Sequence, residues 1–123
     1  MAARRRIDPA RGADALRQWT AARRSGQDPG RAVTATAVRF TLEELAARAP
    51  GRSVEVRVPP FGVTQAVAGT THRRGTPPSV VETDAATWLE LATGTSEWSE
   101  ALASGRLQAS GERCDLSAHL PLL

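Results

Sequence analysis

Val54-Glu55-Val56-Arg57-Val58-Pro59-Pro60 alternates apolar with charged side chains and then stops at two prolines. A period of two is the mark of a strand with one face on a core and the other in water. Upstream, the period is different. Ala35, Val38, Leu42, Leu45, Ala46 and Ala49 recur at helical spacing, and Val33, Ala37 and Phe40 add a second stripe on the first half of the same segment. The spacing predicts a helix over 29–49 whose first half is buried on two sides, ended by Pro50-Gly51. A helix followed by a strand ladder defines an α+β domain.

Working outward from that junction, Asp8-Pro9 supplies an N-cap and a first-turn proline for a helix running to about Arg24, with Ala13, Leu16 and Trp19 on one side. Residues 25–30 form a linker with Ser-Gly and Pro-Gly breaker pairs. Beyond the first strand, about Val63 to Ala68 and about Pro78 to Thr83 read as two more strands flanking an Arg-rich loop, and the three are expected to form an antiparallel meander. Helical spacing returns in Ala85, Trp88, Leu89 and Ala92, between Asp84 and Gly94 as caps. A short helix from Ser96 to Ser104 is expected to pack Trp98, Ala101 and Leu102. Arg106 to Ser110 alternates as a fourth strand, with Leu107 and Ala109 inward. A last helix is expected from Asp115, showing Leu116 and Leu120 before Pro121 limits it. Val54, Val56, Val58, Leu107 and Ala109 should all face one helical layer.

At 123 residues and 41% hydrophobic, the chain fits one domain, read as 8–123 behind a disordered basic tail over 1–7. No apolar run approaches the roughly 18 residues of a membrane span, so no integral membrane segment is expected and the chain reads as cytoplasmic. Cys114 is the lone cysteine, and His72 and His119 have no companion at metal-ligand spacing, which excludes a zinc or disulfide framework. All 16 basic side chains are arginine, a choice that speaks of a GC-rich gene. Residues 1–31 hold eight Arg against three acids, and the remainder eight against ten. The basicity belongs to the N-terminal segment and not to a face of the folded module, so no nucleic-acid partner is expected.

Catalytic patterns are missing: there is no Gly-x-Ser-x-Gly elbow, phosphate-cradling Gly loop or dinucleotide fingerprint. Cys114 reads as a small residue in a turn, His119 as a packed or surface histidine, and Glu43-Glu44 and Glu97/Glu100 as solvated helix faces. No enzyme activity and no cofactor is expected. Arg57, Gln65, His72, Arg73 and Arg74 fall on neighbouring strands and their loop; they form either a polar rim for a carboxylate or phosphate head group or the solvated outer face of the sheet.

The order helix, helix, three strands, two helices, strand, helix carries a resemblance. From Pro78 onward, Trp88-Leu89-Glu90-Leu91-Ala92-Thr93-Gly94, a short helix, and Gly105-Arg106-Leu107-Gln108-Ala109-Ser110-Gly111 resemble the C-terminal half of the sterol-carrier-protein domain. Val54 to Gly62 and His72-Arg73-Arg74-Gly75-Thr76-Pro77-Pro78 look like a compact bacterial branch of that family, itself similar to the C-terminal module of mycothiol-dependent maleylpyruvate isomerases. The resemblance covers about 32–123. It implies a mostly antiparallel four- to five-stranded sheet with helices on one face, and a lipid, sterol-like or other apolar ligand held between the layers without chemistry. Phe40, Leu45, Trp88, Leu102 and Leu120 are the expected apolar lining, and Arg57, Gln65, His72 and Arg74 the polar rim. The alternative is an accessory module with a protein partner, a thiol-dependent, mycothiol-type enzyme. Oligomeric state is left open.

Overall fold

The computed structural model describes residues 5–69, 79–111 and 114–122. Two helices, α1 (Pro9–Ser25) and α2 (Arg31–Arg48), precede the strands β1 (Val54–Val58), β2 (Gly62–Ala66) and β3 (Ser79–Thr83). Helices α3 (Ala85–Thr93) and α4 (Trp98–Ala103), strand β4 (Leu107–Ser110) and a 3₁₀ turn at Ser117–His119 follow. The fold is α+β. None of these helices is long and apolar enough to cross a membrane.

Local chemistry accounts for the helix ends. Asp8 accepts from the Ala10 N–H ahead of Pro9, and Gly26, at φ 71°, closes α1 by returning its N–H to the Ala22 and Arg23 carbonyls. On α3, Asp84 accepts from the Thr87 N–H at 2.7 Å and Gly94 takes the left-handed cap. Asp28-Pro29, the other Asp-Pro pair in the sequence, works differently. Asp28 accepts from the Gly30 N–H at 2.8 Å, and α2 begins only after that turn.

The sheet order is β2-β1-β3-β4. β1 pairs antiparallel with β2, with Val56 opposite Thr64 and Val58 opposite Gly62, and β3 pairs antiparallel with β4. The expected three-strand meander is corrected here: β3 lies on the far side of β1 and runs parallel to it, Val56 opposite Val81. Alternation along a strand specifies which side chains face the core but not which strand is the neighbour. The backbone shows how the chain makes the step. Ser53 donates its N–H to the Val67 carbonyl and receives the Ser79 N–H on its own carbonyl, both at 3.1 Å, so the end of β2 and the start of β3 flank the entry to β1.

Val54, Val56, Val58, Ala66, Val81 and Leu107 point into one core with Leu45, Trp88 and Leu89, and Ala109 packs at its margin, as the alternation requires. The second apolar stripe of α2 is covered by α1: Phe40 is buried against Gly12, where a Cβ would stand 2.3 Å from the ring. Two expectations fail at the C-terminal end. Leu102 is 45% exposed, because the six-residue α4 seats only a narrow stripe, Trp98 and Ala101. The closing helix is only the 3₁₀ turn: Asp115 accepts from the Ser117 N–H and Pro121 follows at once. The terminus instead lies along α3, where Leu122 donates its N–H to the Ala92 carbonyl and Leu116 and Leu122 are buried.

Glu90 ties the helical layer together. Its carboxylate pairs with Arg23 of α1 and with Arg106 ahead of β4, and it accepts from the Ser96 hydroxyl at 2.9 Å. Arg106 also pairs with Glu100 of α4, so that glutamate is not merely a solvated face. Burial on its own would raise the Glu90 carboxyl, but the hydrogen bonds from Arg23 and Ser96 and the charges of Arg23 and Arg106 hold it below the ordinary glutamate range.

Candidate functional site

Strand β2 is the edge of the sheet next to α2, and its inward side chains are small. Where β1 turns Val54, Val56 and Val58 inward, β2 turns Gly62, Thr64 and Ala66. Leu42 of α2 comes close over Gly62, 3.2 Å from where a Cβ would stand. Beside it the missing volume opens a cleft of about 1040 Å³ between α2 and β2. Leu42, Ala46, Phe61 and Val63 give it apolar surface, and Val63 is 60% exposed.

The N-terminal segment forms another wall. Glu43 accepts from the backbone N–H groups of Arg6 at 2.7 Å and Ile7 at 3.0 Å, one on each carboxylate oxygen. Arg5 pairs with Glu44 at 2.8 Å. Residues 5–7, expected within a disordered tail, are thus seated on α2, and Glu43-Glu44, expected as a solvated face, are what hold them. Ile7 adds a half-buried apolar side chain, and Arg5 and Arg6 line the cleft with Arg39 of α2. Arg39 donates from Nε to the Phe61 carbonyl at 3.0 Å, and the Arg31 guanidinium lies 5.5 Å from the Phe61 ring centroid.

The residues expected from sequence fall elsewhere. Phe40, Leu45 and Trp88 are buried in the packed core and do not line this cleft. Phe40 lies under α1, which covers the second stripe of α2, while Leu45 and Trp88 themselves fill the space between the helices and the valines of the sheet. Leu120 is half-buried at the terminus and Leu102 faces solvent. Of the rim residues, Arg57 and Gln65 lie exposed on the outer sheet face, and the Arg57 guanidinium is matched by Glu55 at 2.5 Å. His72, Arg73 and Arg74 lie outside the described residues. Cys114 donates its thiol to the Gly111 carbonyl at 3.4 Å, in keeping with a small residue in a turn. Among the described residues no group of three His, Cys, Asp or Glu side chains is placed to hold a metal ion.

Sequence reasoning missed Ile7, Arg39, Leu42, Phe61 and Val63 as a group. The available signal was the fall in side-chain size from Val54, Val56 and Val58 to Gly62 and Thr64 on adjacent strands.

The described residues thus form an α+β domain with an amphipathic cleft at the sheet edge. The chain belongs to the bacterial SCP ortholog family, the bacterial branch of the sterol carrier proteins, whose family model matches residues 30–122. That match begins just ahead of α2, so α1 and residues 5–7 lie outside it. No curated protein matches the chain.

Proposed function

We propose that this protein binds a lipid or other apolar chain in the α2–β2 cleft and does no chemistry on it. The observation that carries the reading is the juxtaposition of Leu42 and Ala46 on α2 with the small inward residues Gly62 and Thr64 on β2, which leaves a ligand-sized space on the edge of a filled core. Its volume is of the order of known small-molecule sites, about 300–1,000 Å³. Membership of the sterol-carrier family supports an apolar ligand in general. The lining is also in keeping with a carrier: among the described residues it holds no histidine, cysteine or serine, and both oxygens of its carboxylate, Glu43, are engaged by backbone N–H groups.

Calorimetric titration with monododecanoylglycerol, a neutral single-chain probe, tests the reading. The wild type is expected to bind it and return it unchanged. Thr64→Phe, which fills the cleft from a half-exposed position, should abolish binding with the fold intact. Equal binding by Thr64→Phe would place the ligand elsewhere, and no binding by either would shift the reading to an accessory module with a protein partner.

A further inference from the structure

The charges around the cleft are unevenly matched. Arg5 is paired with Glu44, but the Arg6 side chain has no acidic partner among the described residues, and Arg39 engages only its Nε, on a neutral carbonyl. Both arginines line the cleft with Leu42, Phe61 and Ile7. The one carboxylate there, Glu43, already accepts from two backbone N–H groups. Guanidinium presents planar paired donors that match a carboxylate or phosphate, and its pairing strengthens next to apolar surface that keeps water away.

Resting on the reading of this cleft as an apolar-chain site, we infer that it selects single-chain amphiphiles with an anionic head group, a long-chain carboxylate being the type. Arg39 and Arg6 receive the head, and the chain lies along Leu42 and Phe61. Arg39 belongs to the part of the chain that matches the family, whereas Arg6 lies on the N-terminal arm ahead of the match. Head-group preference is therefore built partly from a segment outside the family match, and Glu43 positions it by fixing the backbone of Arg6 and Ile7.

The test uses the full chain and displacement of N-phenyl-1-naphthylamine, a neutral fluorescent probe, by compounds that share one chain length and remain below their micellar concentrations. Dodecanoate should displace the probe at about one tenth the concentration that monododecanoylglycerol needs, the size expected for one charge-assisted pairing at a partly exposed site. Dodecyltrimethylammonium should be weakest. Acetate and inorganic phosphate, which have no chain, should not displace it. Arg6→Met and Arg39→Met should each reduce the preference for dodecanoate over monododecanoylglycerol, and in the double variant the two compounds should displace the probe at equal concentrations. Arg6→Met alone keeps the test readable should Arg39→Met disturb β2, because Arg6 is exposed on the arm. Equal displacement by dodecanoate and monododecanoylglycerol, or a preference that survives in the double variant, would overturn the inference while leaving the apolar-chain reading standing. Displacement by acetate or phosphate would overturn it in favour of a chainless anion site. No displacement by any dodecyl compound would remove both.

Discussion

The Trp88 indole N–H donates to the Thr41 hydroxyl at 2.8 Å, joining α3 to α2 across the buried core. Thr41 in turn donates to the Ala37 carbonyl at 2.8 Å, so this fully buried hydroxyl both satisfies the indole and is itself satisfied. Thr41→Val preserves shape but strands a buried N–H. It should destabilise the protein by about 1–3 kcal/mol, the cost of an unsatisfied buried donor. Chemical denaturation checks this; Thr41→Ser, which keeps the acceptor, should lose less.

Gly12 sets how near α1 can lie to α2. A methyl group there would meet the Phe40 ring at 2.3 Å and its Cβ at 2.6 Å. Gly12→Ala should therefore destabilise by about 1–3 kcal/mol through overpacking, despite the roughly 1 kcal/mol that alanine gains in a helix. In a Gly12→Ala/Phe40→Ala double variant the clash has no partner. The double-variant loss should fall short of the sum of the single losses by more than about 0.5 kcal/mol.

Glu90 gives the acid limb of stability a specific contributor. Its folded-state carboxyl is held below the ordinary value of 4.5, so its contribution is present above that value and is lost as pH falls through the lower, folded one. Between pH 6 and pH 3 the wild type should lose more stability than Glu90→Gln. Denaturation midpoints at several pH values read the difference, and parallel curves would refute it.

The N-terminal arm is held by Glu43 and Glu44. Glu43→Ala should release the Arg6 and Ile7 amides to rapid hydrogen exchange, at a cost of about 1 kcal/mol, while the domain stays folded. Removal of residues 1–6 should have a similar small effect on stability. Amide exchange that is unchanged in Glu43→Ala would mean that the arm is held by other contacts.

Much of this fold was legible because single residues carried local rules. Asp84 and Gly94 bracket α3, Gly26 closes α1, and Val54, Val56 and Val58 mark the inward face of β1. The strand order was not legible, since the β3 pattern of Ser79, Val81 and Thr83 inward suits a neighbour on either side of β1. The two-sided burial of α2 was read correctly, yet its meaning was not: Phe40 meets α1 and not a ligand space. The cleft escaped notice because small side chains, Gly62 and Thr64, leave it open, and because Arg39 and Phe61 meet only after the chain has turned back at the sheet edge. Patterns of apolar residues report what is filled, and they are silent on what is left empty.

The placement of the ligand is tested most directly by amide and indole chemical-shift mapping as monododecanoylglycerol is added to uniformly ¹⁵N-labelled protein. The account predicts shifts at Leu42, Ala46 and residues 61–64 along the α2–β2 cleft, with the Trp88 indole signal staying in place. Movement of the Trp88 indole and the Leu45 amide with β2 undisturbed would contradict it, because the ligand would then be entering the core between the layers.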